Sequence, residues 1–127
     1  MRNTIVALLA GTLLFGAGIL VGQKTAAPRK TLIHAFCFNP VDGATTQQFD
    51  ELWSATRKLA AQDAGIQNIW MGKIVRHQGE WKNAIVMEFE GEAGHKKYEA
   101  SPAHAEWLKT YSKVRAEPTF TFDLQGQ

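Results

Sequence analysis

The chain has a single cysteine, Cys37, so an internal disulfide framework is impossible and the core must rest on apolar packing. Cys37 reads as a small buried hydrophobe in a strand, with a bridge between two exported copies as the sharper alternative. Also missing are a glycine-rich phosphate loop, a dinucleotide fingerprint and a nucleophile elbow, and no cofactor is expected. The four histidines include no His-x-x-x-His pair, and His77 falls in a loop and His95 in a helix, so local spacing gives no metal site. Basic residues are scarce where they would matter. Arg2, Lys24, Arg29 and Lys30 precede residue 31 while all 12 acidic residues follow it, leaving a formal charge of 10 − 12 = −2 on the rest. No basic stripe with interleaved aromatics remains, which excludes electrostatic nucleic-acid binding as a leading function.

What is present begins with a leader. Arg2 precedes an uncharged, mostly apolar run from Thr4 to Gly22, followed by Gln23, Lys24 and a Pro-containing linker. Residues 1–30 are therefore read as a signal peptide or membrane anchor plus linker, and 31–127 as one compact domain. The run is long enough to approach a membrane span, and Pro28 directly after Thr25-Ala26-Ala27 disfavours cleavage there. Export is expected, to a periplasmic or extracellular location or with residues 4–22 anchored in the membrane. The membrane is then met only through this segment.

Within the domain, Thr31–Phe38 is strand-like. His34, Phe36 and Phe38 share one face, and Ile33, Ala35 and Cys37 share the other, so both faces are largely apolar and the strand is expected to be covered on both sides. Asn39-Pro40 and Asp42-Gly43 mark a turn, and Thr45 with Gln48 resembles a capping box. Phe49, Leu52, Trp53, Thr56, Leu59 and Ala60 then recur at helical spacing, until Gly65 ends the helix. Ile66–Val75 and Lys82–Glu90 read as antiparallel strands joined by a glycine-containing loop. Two short helices, Gly91–Ala100 and Pro102–Lys113, and a last strand, Thr119–Leu124, complete the order β-α-β-β-α-β. The expected fold class is α+β, ferredoxin-like, with an antiparallel four-stranded sheet. A domain this small gains from burying a sheet face against a partner, so a homodimer is expected.

The segment Tyr98-Glu99-Ala100-Ser101-Pro102-Ala103-His104 carries the strongest chemical signal. Proline disfavours helical geometry at Ser101, so one helix ends there, while Pro102 suits the first turn of the next. A phenol and an imidazole are thereby set around one turn, converging on one cleft.

With His34 opening the first strand, Gly65 and Gly72 around the second, Ile85-Val86-Met87-Glu88-Phe89 and Phe122-Asp123, this segment resembles the signature of the stress-responsive A/B barrel (Dabb) family over roughly Thr31 to Leu124. The resemblance implies a dimeric α+β barrel, two four-stranded sheets facing each other with helices outside. It further implies a stress-related module with a modest apolar pocket. As an alternative it implies a cofactor-independent enzyme, similar to a polyketide cyclase or monooxygenase, in which His104 acts as base and Tyr98 polarises a carbonyl. Imidazole and phenol suit that task, since carbon acidity beside a carbonyl needs a base poised near neutral pH and a donor for the enolate oxygen. His34 and Asp123 match the family's first-strand His and last-strand Asp, and Asp123 is expected either to orient His104 or simply to pair with His34 across adjacent strands. Asn83 departs from the cyclase pattern, which has a His there. A ligand site lined by Phe36, Phe38, Ile85, Met87 and Trp107, with Asn83, Tyr98 and His104 as polar points, would take a small hydrophobic or aromatic molecule, with plain core packing as the other reading of the same apolar residues.

Overall fold

The computed structural model describes residues 30–63, 65–76 and 79–126; the leader and His77 lie outside the described residues. The elements are β1 (Leu32–Phe38), α1 (Thr46–Gln62), β2 (Ile66–Lys73), β3 (Asn83–Phe89), α2 (Gly91–Glu99), α3 (Pro102–Val114) and β4 (Phe120–Gln125). The four strands form one sheet in the order β2-β3-β1-β4, with every neighbouring pair antiparallel. This is the expected ferredoxin-like order, with the second helical segment divided in two by Ser101-Pro102.

Local chemistry sets the helix boundaries. Thr45 Oγ1 accepts from the Gln48 backbone N–H at 3.2 Å, and Gln48 Oε1 accepts from the Thr45 N–H at 2.8 Å, so the capping box satisfies donors at the start of α1. Ser101 caps α3 in the same manner, its Oγ accepting from the His104 N–H at 3.1 Å, with Pro102 at the first helical position. Between β3 and α2 the chain turns at Gly91, whose φ of 72° is left-handed. A Cβ there would meet Lys30 atoms only at 3.8 Å, so backbone strain rather than lack of room favours glycine.

The two faces of the sheet differ. Toward the helices, Phe36 and Phe38 of β1 and Ile85, Met87 and Phe89 of β3 are buried, joined by Leu52 and Leu59 of α1 and by Tyr98, Trp107, Tyr111 and Val114. Thr56, on the same stripe of α1, is fully buried. Its hydroxyl donates to the Leu52 carbonyl at 2.8 Å and accepts from the Trp107 indole N–H at 2.9 Å. That pair pins α1 to α3 with every polar atom of the contact engaged.

The opposite face carries one row across all four strands: Trp70 opposite Val86, Val86 opposite Ala35, and Ala35 opposite Phe122. Phe120, Phe122 and Leu124 alternate along β4 and are 49%, 43% and 59% exposed, and Trp70 is 53% exposed. Cys37 lies on this face, free and half-buried. The double cover expected of β1 is thus present on the helix side, while the other side, open in the single chain, carries this apolar row beside a second one in which Leu124 and Ile33 are followed by Glu88 and its hydrogen-bonded partner Asn68.

Candidate functional site

A row of rings runs along the helix-facing surface of the sheet. His34 stands 4.5 Å from His95 between ring centroids, His95 5.9 Å from Tyr98, Tyr98 4.4 Å from His104, His104 6.0 Å from Trp107, and Trp107 4.9 Å from Tyr111. Three elements build it. β1 supplies His34 and Phe36; α2 supplies His95 and Tyr98, three residues apart on its buried face; α3 supplies His104, Trp107 and Tyr111 at helical spacing.

Tyr98 and His104 therefore meet, as the Pro-turn reading requires. Tyr98 is almost completely buried, and its phenol is pushed well above the ordinary range, first by burial and then by the carboxylates of Asp63 and Glu99. It stays protonated and able to donate. His104 Nδ1 lies 3.2 Å from the Glu99 carbonyl oxygen. A carbonyl only accepts, so Nδ1 carries a proton, and in the neutral ring that tautomer leaves the lone pair of a general base on Nε2.

Asp123 does not orient His104. In the β1–β4 register it lies directly opposite His34, and its Oδ1 accepts from His34 Nδ1 at 2.6 Å. The pairing follows from the two-residue strand period, which turns His34 and Asp123 to the same face on adjacent strands. His95, which local spacing set aside, joins them. It is 5% exposed, its Nε2 has no hydrogen-bond partner, and that atom is 3.9 Å from Glu99 Oε1. Burial, and then the neighbouring His34, pushes the His95 imidazole below its ordinary range, so it is held neutral. Its position was signalled in the sequence by its three-residue offset from Tyr98; proximity to His34 was not, because only the tertiary fold creates it.

The residues expected to line a ligand site are packed. Phe38, Ile85 and Met87 have no exposed surface, and Phe36 and Trp107 are each 4% exposed with centroids 5.6 Å apart. Asn83 is buried at the far end of β3, opposite Phe38. A groove of about 1060 Å³ lies elsewhere, between Lys30, Asn68, Glu88, Glu90, Glu92 and Gln125, and none of the expected lining residues borders it.

The family profile described as Stress responsive A/B Barrel Domain (Dabb) matches residues 32–125. The chain belongs to the Dabb family. A search of curated proteins finds no match. Among solved structures, this Dabb chain is similar to a dimeric ferredoxin-like protein of unknown function from Thermobifida fusca. The identity is 22%, covering 80% of this chain and 95% of that one, with a TM-score of 0.66. It is similar also to a Dabb family protein with a ferredoxin-like fold from Mesorhizobium loti, at 14% identity, 75% and 95% coverage and a TM-score of 0.64. A hydroxynitrile lyase from Passiflora edulis superposes with a TM-score of 0.70 at 13% identity, covering 79% of this Dabb chain and 96% of the lyase. At these identities the likenesses establish the fold.

Proposed function

We propose that this Dabb protein works as a homodimeric α+β barrel whose two sheets meet through their outer faces. The observation that carries this is the apolar row Trp70-Val86-Ala35-Phe122, flanked by Phe120 and Leu124. Large aromatic and aliphatic side chains contiguous on an open sheet face mark an interaction surface, since a wet face would alternate to polar residues. The self-association of the Thermobifida fusca relative, described as dimeric, supports a second copy as the occupant. Arg2 ahead of the uncharged run Thr4 to Gly22 supports an exported or membrane-tethered module, so the dimer would act outside the cytoplasm or at a membrane surface.

Sedimentation equilibrium tests the assembly. The wild-type protein is expected at twice the chain mass at micromolar concentration, and Phe122→Glu combined with Leu124→Lys at the chain mass with an unchanged circular dichroism spectrum. A wild-type protein that stays monomeric sinks the reading.

A second reading rests on a different observation, the tautomer of His104. With Nδ1 committed to the Glu99 carbonyl and a protonated Tyr98 phenol alongside, the pair has the parts for cofactor-independent proton transfer at a carbon next to a polarised group. His104 serves as the base and Tyr98 as the donor, with His34 and Asp123 continuing the polar end of the row. The substrate class is a small hydrophobic carbonyl compound; on a cyanohydrin, as the likeness to the Passiflora edulis hydroxynitrile lyase suggests, the same base would take the hydroxyl proton as the C–CN bond breaks, releasing aldehyde and cyanide. Aldehyde release from an aromatic cyanohydrin, compared between wild type and His104→Ala, is the assay. Turnover unchanged by the substitution removes His104 from the chemistry.

A further inference from the structure

His34, His95 and Asp123 come from three different elements and from distant parts of the chain, yet one donor atom from each lies within 4.8 Å of the others. We propose that these three side chains form a binding site for one divalent first-row transition metal ion, with His34, His95 and Asp123 as ligands.

The donor set selects the class of cation. Two imidazoles and one carboxylate suit zinc, cobalt, nickel or iron, whereas magnesium and calcium favour all-oxygen shells. Three protein ligands leave at least one coordination position for water or another small molecule. His95 supplies the independent sign that something is to be bound. Its ring is buried to more than nine-tenths and lies 4.5 Å from the His34 ring between centroids, and its Nε2 has no hydrogen-bond partner. A buried polar nitrogen left in that state costs free energy, and a cation at that nitrogen removes the deficit. The Glu99 carboxylate, 3.9 Å from the same atom, adds negative charge beside the site.

The geometry is close to what coordination needs. Metal–ligand distances of about 2.0–2.2 Å set neighbouring donors roughly 3–3.5 Å apart, so the more distant donors must draw together while the 2.6 Å hydrogen bond between His34 Nδ1 and Asp123 Oδ1 gives way to the metal and its proton is released. Asp123 is free to make that adjustment, because its side chain is half exposed and sits on the edge strand. Residues on separate strands and a helix form such a site without any local motif, so sequence spacing could not reveal it. The site is distinct from the sheet face that carries the proposed dimer, and its occupancy is read without any assay of turnover.

The test uses the full-length protein, stripped with a chelator and then titrated with Co²⁺, with Zn²⁺ affinity measured in competition with a chromophoric chelator. One ion per chain is expected, with visible cobalt d–d bands. His34→Gln, His95→Gln and Asp123→Asn should each weaken Zn²⁺ binding at least about tenfold, while Cys37→Ser, on the opposite face of the sheet, leaves it unchanged. If His95→Gln fails to fold by circular dichroism, Asp123→Asn at the exposed edge decides alone. Wild-type protein that binds no more tightly than Asp123→Asn overturns the proposal, as does tight binding that persists in the three variants.

Discussion

His34 Nδ1 donates to Asp123 Oδ1 at 2.6 Å between two residues directly opposed on adjacent strands. A carboxylate can only accept, so the bond fixes the His34 proton on Nδ1. Asp123→Asn is expected to release that preference, which the side-chain nitrogen shifts of His34 will report. Because Asp123 is half exposed, the loss of stability in urea should stay within about 1 kcal/mol. A larger loss would mean that the strand pairing itself depends on the carboxylate.

Thr56 and Trp107 give a stronger effect in the core. Thr56→Val keeps the shape but strands the indole N–H, which is buried against α1. The expected cost is about 1–3 kcal/mol, measured as a shift of the urea midpoint at constant slope. Adding Trp107→Phe to Thr56→Val removes the orphaned donor, so the pair should lose less than the sum of the two single changes.

Alkaline pH is expected to destabilise the fold through Tyr98. Its folded pKa is raised, so its contribution is fully present below the unfolded value near 10 and is lost as pH climbs beyond it. Tyr111, pushed up to about 12 chiefly by burial, adds to the same slope. The chain has only these two tyrosines, so ultraviolet titration of tyrosinate reads them without interference. Folded protein should show almost no tyrosinate at a pH where the urea-unfolded chain is half ionised, and Tyr98→Phe should flatten the alkaline loss of stability.

At acid pH the relevant group is His95. Its folded pKa is depressed, so its contribution is present above the unfolded value of about 6.5 and is lost as pH falls through the folded one. It faces His34 on β1, Asp123 on β4, and Glu92 and Glu99 on its own helix; the three carboxylates oppose the shift and burial and His34 drive it. Denaturation midpoints between pH 7.5 and 5 should fall in wild type and fall less in His95→Gln. Equal slopes in both proteins would assign the acid sensitivity to another group.

The order of elements was legible because each boundary carries its own chemistry: Thr45 with Gln48, the glycine after β3, and Ser101-Pro102 dividing α2 from α3. Tyr98 beside His104 was legible for the same reason, since the turn that joins them is local. The partner of Asp123 was not. Choosing between His34 and His104 needs the register of β4 on β1, which depends on contacts between residues 89 positions apart. His95 escaped for a related reason: helical spacing places it beside Tyr98, whereas its approach to His34 exists only once α2 lies across the sheet. For Phe36 and Trp107 the alternation and helical spacing fitted a pocket wall or plain core alike, and their rings, both buried and 5.6 Å apart between centroids, pack as core.

β4 has no buried residue and a single sheet neighbour, β1. Its amides should therefore exchange with solvent soonest among the strands, and every transient fraying carries Asp123 away from His34. A second copy clamped over Phe120, Phe122 and Leu124 would suppress that fraying. Protein concentration would then govern how long the histidine keeps its carboxylate, linking quaternary structure to the chemistry of a residue on the other side of the sheet.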